Sequence, residues 1–250
     1  MKTPDVSVLL PCYNASETLD ECIKSLADQT YHNFEVICVD DGSTDGTTDL
    51  LKDWSRKDPR FRYLKQDHAG VIPAGNAGLA ACQGEIIIRM DADDRCHPKR
   101  IELQRDFLKM NPDITVVSSL VKGFPEEAVG EGFQLYYDWL NSLLTHQQIS
   151  REFFVESPIA NPSAAFRREW IEKLGGYQDL GWPEDYDLWL RFFTAGARFA
   201  KIPEVLLEWR EHPERLTHTD SRYSVENFLR CKAHYLAKGP AKSRNAVFVW

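Results

Sequence analysis

The chain opens on Val6-Ser7-Val8-Leu9-Leu10, a continuous apolar run of strand length, and then changes rhythm. Between Asn14 and Asp28 the apolar residues Leu19, Ile23 and Leu26 recur at helical spacing, so a buried strand followed by an amphipathic helix is predicted. Asn14 with Glu17 three residues later has the pattern of a cap for that helix. Residues 34–39 form a second apolar strand, residues 40–46 are turn chemistry with Asp45 as the next cap, and Leu50, Leu51 and Trp54 mark a helix face. Tyr63-Leu64 reads as a short third strand. Residues 70–82 carry small residues at helical spacing, and residues 85–90 form the most apolar strand nearby. Pro98 opens a helix that runs to Met110 and turns Ile101, Phe107 and Leu108 inward.

Strand and helix alternating over short links predict an α/β fold with a mostly parallel central sheet, covered by helices on both faces. Ligands on such sheets bind beyond the carboxyl ends of the strands. After a strand at residues 114–120 the rhythm weakens. Residues 122–132 read as a loop and 133–155 as one aromatic-rich helical stretch. Further elements are expected at 167–174, 185–195 and 205–210, then a long amphipathic helix from about Ser221 to Leu236. The run Ala246-Val247-Phe248-Val249-Trp250 reads as a buried strand with no turn after it, which suggests a natural chain that continues.

Composition narrows the function. With 250 residues and 43% apolar content the chain can bury a full core as one continuous unit. A net charge of −8 excludes a phosphate-tracking basic surface and hence nucleic acid as a partner. An anionic ligand would need local help, such as a metal. No apolar run has the length of a membrane span, and no charged segment with a cleavage site precedes the first strand. The expectation is a soluble, cytoplasmic protein without a transmembrane segment, peripheral membrane association staying open. Cys12, Cys22, Cys38, Cys82, Cys96 and Cys231 form no C-x-x-C pair and sit among apolar residues, as buried structural thiols do.

Candidate chemistry gathers at the strand ends. Asp91, Asp93 and Asp94 follow the run Ile86-Ile87-Ile88, and in extended backbone residues two apart point to one side. Close carboxylates repel unless a cation joins them, and a hard divalent ion shared with substrate phosphates suits the pattern. A solvated acidic turn accounts for an isolated D-x-D equally simply. Asp40 and Asp41 repeat the motif after the second strand, where a carboxylate can accept from a ribose hydroxyl or a base N–H, or merely shape a polar turn. Pro11, Tyr13 and Asn14 end the first strand, and the Tyr13 ring offers a face for a base or for packing at a domain edge. Glu184 and Asp185 begin a helical pattern, where acidic residues also complement the helix dipole. No G-x-G-x-x-G follows the first strand, which argues against a Rossmann dehydrogenase.

Four ordered motifs together carry a resemblance. They are Val6 to Asn14, Val39-Asp40-Asp41-Gly42-Ser43-Thr44-Asp45-Gly46-Thr47, Gly84 to Asp94, and Pro183-Glu184-Asp185-Tyr186-Asp187-Leu188-Trp189. This set, spread over about the first 210 residues, resembles family 2 glycosyltransferases with the GT-A fold. The resemblance implies an inverting enzyme that moves a sugar from a nucleotide-diphosphate sugar, a UDP-sugar by expectation, to a hydroxyl acceptor. A glycan or lipid-linked saccharide of cell-surface polysaccharide synthesis is the acceptor class it implies. By the same resemblance Asp41 contacts the base, with Pro11, Tyr13, Asn14 and Asp40 around the nucleoside. Asp91 and Ala92 belong to the donor site, and Asp93 ligates Mg2+ or Mn2+. His212 completes the metal site and Asp185 is the catalytic base.

The implied layout is a GT-A domain over residues 1–218, with 1–112 binding the nucleotide sugar and 113–218 facing the acceptor. Residues 219–250 form a C-terminal helix and the possible start of a further segment. Asn161-Pro162-Ser163 resembles the acceptor-side loop, and Tyr136, Tyr137, Trp139, Trp170, Tyr177 and Trp182 are sugar-stacking candidates, though core packing is their simpler use. One position departs from the family: Ala74-Gly75-Asn76 stands where many relatives have Ala-Arg-Asn, so a basic side chain near the donor is missing. With the abrupt end at Trp250, this motivates an alternative, a non-catalytic nucleotide-sugar binding module of a larger protein.

Overall fold

Alternating burial along the first strands shows what drives the fold. Val6, Val8 and Leu10 pack into one hydrophobic cluster and Leu9 into another, so the strand is apolar on both sides and must be covered on both. In the computed structural model, which describes residues 3–238, the elements in chain order are β1 (Val6–Cys12), α1 (Leu19–Ala27), β2 (Phe34–Asp41), α2 (Thr47–Lys57), β3 (Phe61–Gln66), α3 (Val71–Ala81), β4 (Ile86–Arg89), β5 (Arg95–Cys96) and α4 (Arg100–Met110). They continue with β6 (Val116–Phe124), α5 (Glu131–Ser142), α6 (His146–Glu152), β7 (Ala165–Arg167), α7 (Arg168–Leu174), α8 (Glu184–Thr194), β8 (Phe199–Arg210), α9 (Leu216–Thr219) and α10 (Val225–Lys238). The expected strand at Ala246–Trp250 lies outside the described residues.

The strands form one eight-stranded sheet in the order β3-β2-β1-β4-β7-β6-β8-β5. β3, β2, β1 and β4 run parallel, as do β6 and β8, while β4–β7, β6–β7 and β5–β8 are antiparallel. The expected mostly parallel α/β sheet is therefore present. Leu19, Ile23 and Leu26 of α1, Leu51 of α2 and Ile101 and Leu108 of α4 cover one face; Ile72 and Leu79 of α3 and Leu188, Trp189 and Phe192 of α8 cover the other. None of the helices among the described residues is long and apolar enough to cross a membrane.

Four local expectations are corrected. Asn14 does not cap α1: its φ is 46°, its side chain accepts from Thr44 N at 2.9 Å, and the helix starts five residues later. Residues 122–124 extend β6 instead of looping, because Glu208, Trp209 and Arg210 of β8 pair with them. The stretch 133–155 is two helices, not one. It breaks where Thr145 and Gln148 form a capping box that starts α6. The N-cap of α2 is Gly46, not Asp45, which stands one residue earlier and accepts from Thr47 N at 2.9 Å.

Candidate active site

Because β2, β1 and β4 are adjacent and parallel, their carboxyl ends share one edge of the sheet. On the β2 side every carboxylate oxygen is already engaged. Asp40, fully buried, accepts from Ser43 N at 2.9 Å, Thr48 Oγ1 at 2.5 Å and the Tyr63 hydroxyl at 3.3 Å. Burial alone would raise its pKa; the donors from Thr48, Ser43 and Tyr63 outweigh it and hold the pKa below the ordinary value. Asp41 accepts from Gln66 Nε2 at 2.6 Å, Ala69 N at 3.0 Å, Gly70 N at 2.8 Å and His68 Nδ1 at 2.9 Å. It thereby ties the loop before α3 to the end of β2. Pro11 is half-buried on β1, and Tyr13, 47% exposed, stacks on His68 with centroids 4.0 Å apart.

The β4 side differs. The strand ends at Arg89, and residues 91–94 form a turn closed by Asp94 N donating to Asp91 O at 3.3 Å. The extended geometry expected there is therefore absent. Instead the turn gathers three carboxylates, with ligand-capable oxygens of Asp91, Asp93 and Asp94 within 4.8 Å of one another. Its backbone is anchored from outside: Thr18 Oγ1 donates to Ala92 O at 3.1 Å, and Arg210 Nε to Asp93 O at 2.6 Å. The side chains are left for other work.

Each carboxylate has a distinct environment. Asp91 Oδ1 is paired with the buried Arg89 guanidinium at 2.6 Å. Asp94 is fully buried, accepts from Arg210 N at 2.8 Å through Oδ1, and has no partner on Oδ2. Burial first, then the charges of Asp93 and Asp91, push its pKa well above the carboxylate range. Asp93 faces His212 Nε2 at 3.0 Å, while Nδ1 of the same ring contacts Glu214 at 3.2 Å. A buried orphan oxygen and three clustered acids, with the His212 imidazole against Asp93, make a donor set whose chemistry fits a hard divalent cation.

Across the cleft α8 begins at Glu184, which is 3% exposed and accepts from the Tyr223 hydroxyl at 3.0 and 2.8 Å. Asp185 beside it is pushed up to about 7, first by burial and then by the charge of Glu184, with Asp91 adding to it. Asp187, the next acid of the motif, is fully buried and structural: Trp182, Arg191 and Tyr235 all donate to it.

Gly75 has a physical explanation. A Cβ there would lie 2.8 Å from Cδ2 of Tyr177, so the ring occupies the space a larger residue would need. Gly75, Tyr177, Asn161, Glu184 and Arg89 line one small cavity. The basic side chain is indeed missing at position 75, and the guanidinium on this wall is Arg89 of β4, paired with Asp91.

The comparisons with known proteins bear directly on this arrangement. The profile of "Glycosyl transferase family 2" matches residues 7–175, more than half of the chain. The chain belongs to glycosyltransferase family 2. It is 34% identical to an uncharacterized glycosyltransferase of Haemophilus influenzae, over 89% of this chain and 69% of that protein. It is 30% identical to the amylovoran biosynthesis glycosyltransferase AmsE of Erwinia amylovora, over 82% of this chain and 75% of that one. The structure of S. aureus TarS in complex with UDP-GlcNAc superposes with a TM-score of 0.76 at 19% identity, covering 94% of this chain and 67% of that chain. The fold is GT-A, and this family 2 chain is a glycosyltransferase.

The profile ends before Glu184, Asp185 and His212, so the family 2 match itself covers only the strand-end motifs. Three residues of this arrangement escape a reading by motif. Arg89 had one signal, a cation inside an apolar strand run, which burial obliges to find a partner. His68 and Tyr223 had none, because each matters through a contact distant in sequence. Of the aromatic candidates Tyr137, Tyr177 and Trp182 are buried, and Tyr136, Trp139 and Trp170 pack half-buried against the cores.

Proposed function

We propose that the chain is an inverting glycosyltransferase acting on a UDP-sugar, with Asp185 as general base toward a hydroxyl of a glycan or lipid-linked saccharide in cell-surface polysaccharide synthesis. One observation carries the reading: Asp185, pushed up to about 7, stands across the cleft from the acidic cluster, close enough for Asp91 to affect it. A base is most effective when its pKa is near the working pH. The UDP-GlcNAc complex of TarS and the amylovoran role of AmsE support the donor and product classes. Six buried free thiols support a reducing, cytoplasmic setting.

In this reading Asp93, Asp94 and His212 hold Mg2+ or Mn2+, and Asp91, half-neutralised by Arg89, turns its other oxygen to donor or metal. Bound there, the cation supplies charge neutralisation for the departing diphosphate. Asp185 takes the acceptor's proton as the oxygen attacks the anomeric carbon from the face opposite the diphosphate. Tyr13 and His68 offer a ring surface for the base, and Asp41 holds the His68 loop in place. Asp40, Pro11 and Asn14 shape the same strand end. Residues 1–112 then form the donor half and 113–218 the acceptor half, with the segment from 219 onward packed on α8 through Tyr235 and Asp187.

Asp185→Asn tests the reading. Transfer should fall by about a thousandfold, the range of a lost general base, with UDP binding unchanged. Near-wild-type transfer in that variant would remove Asp185 from the mechanism. A thermal-shift screen of UDP-, GDP-, dTDP- and CDP-sugars with Mn2+ identifies the donor through ligand-linked stabilisation.

A further inference from the structure

We propose that Tyr223 is a positioning residue for the Glu184-Asp185 pair: its hydroxyl, bonded to both oxygens of Glu184, keeps that carboxyl the charged acceptor and leaves Asp185 free to receive a proton. The inference rests on Asp185 being the base. It assigns a part in the site to a segment beyond the residues that the family profile matches.

Two adjacent carboxyls in a buried place cannot ionise independently; one goes first and its charge delays the other. Which goes first depends on which has the better donor. Burial raises Glu184 as well; its own backbone N–H, then the Tyr223 phenol at 2.8 and 3.0 Å, work against that rise. Asp185 accepts from the Tyr186 backbone N–H at 2.7 Å and from its own backbone N–H, and from no side chain among the described residues. The phenol is a dependable donor: burial, and then the charges of Glu184 and Asp185, push its own pKa well up. The cations near Glu184, Arg222 and Arg89, favour its charge without bonding to it. Glu184 and Asp91 oppose the ionisation of Asp185 as charges, the Tyr186 and Asp185 backbone N–H groups favour it, and the phenols of Tyr136, Tyr177 and Tyr223 lie close enough to be raised by its charge. The thiol of Cys231 faces it as well.

Tyr223 itself is fixed. It ends a single 3-10 turn, Ser221–Tyr223, in which the Asp220 carboxylate accepts from Arg222 N at 2.8 Å. Arg222 also pairs with Asp179 at 2.9 Å, on the chain that leads into α8. The turn and the carboxyl pair are therefore held to one another at two points.

Carboxyl 13C NMR on the full chain, labelled at aspartate and glutamate, reads the effect without knowledge of the acceptor. The Asp185 signal is the one lost in Asp185→Asn. In wild type it should titrate near 7. In Tyr223→Phe its midpoint should fall by about one pH unit or more, because Glu184 then protonates first. Glu184→Gln should lower it likewise, and adding Tyr223→Phe to Glu184→Gln should change nothing further. A merely structural tyrosine would lower the melting temperature and leave the midpoint in place. An unchanged or raised midpoint in folded Tyr223→Phe overturns the proposal. If that variant does not fold, Tyr223→Leu, which also lacks the donor, takes its place: a lowered midpoint supports the proposal and an unmoved one overturns it. Failure of the base assignment is separate, since it would show as transfer retained in Asp185→Asn.

Discussion

Two strand ends in this molecule carry the same acidic signature and do opposite things with it. At the end of β2, Asp40 and Asp41 are saturated by donors from their own chain. At the end of β4, three carboxylates converge and Asp94 keeps a buried oxygen with no partner. Hydrogen-bond satisfaction, not acidity, separates the two ends. The difference has consequences of opposite sign when the acids are removed.

The largest effect is expected on the scaffold side. Asp41→Ala orphans the N–H groups of Ala69 and Gly70 together with the Gln66 and His68 side chains. It should cost about 3 kcal/mol, two unpaired backbone donors being the main term. Calorimetry should show a fall of roughly 6–12 °C in Tm. Asp93→Ala, in EDTA, should leave Tm unchanged or raise it, because it relieves repulsion within the cluster.

The pH dependence of stability separates the two ends next. Asp94 and Asp185, raised, hold protons in the folded state that the unfolded chain has released. Their contribution is therefore full below the unfolded carboxyl pKa and is lost as pH rises through the folded values. Asp40 and Asp45 are depressed, Asp45 to about 2, and their contribution is lost as pH falls. Denaturant melts in EDTA should show stability declining from about pH 4 towards neutrality. Asp94→Asn should flatten that decline.

Gly75→Ala tests the contact with the Tyr177 ring. Crowding against Tyr177 should outweigh the helical gain and leave a net loss of about 1 kcal/mol by denaturant titration. Tyr13→Ala should cost least in stability, under about 1 kcal/mol, since its ring stacks at the surface. UDP affinity should nevertheless weaken roughly tenfold, as for a lost base–aromatic stack.

The strands and most helices of this fold were legible because burial on both sides leaves continuous apolar runs that no loop imitates. Sequence failed where a distant partner decides. β6 runs on through Lys122 because β8 offers it a partner, and Thr145 breaks a helical pattern by bonding to Gln148. In the site, Asp91 and Asp93 were readable from spacing, though the reason given, extended backbone, was not the one the turn provides. Arg89 was visible only as an oddity in an apolar run. Tyr223 lies 39 residues beyond the carboxyl it holds, and its contact exists only once α8 and the C-terminal turn are packed together.

The central claim is that the β4 cluster binds the donor through a cation. Calorimetric titration of UDP into wild type with Mn2+, into wild type with EDTA, and into Asp93→Ala with Mn2+ tests it directly. The account predicts binding in the first case and loss of at least about a hundredfold in affinity in the other two. Equal affinity in all three would contradict it.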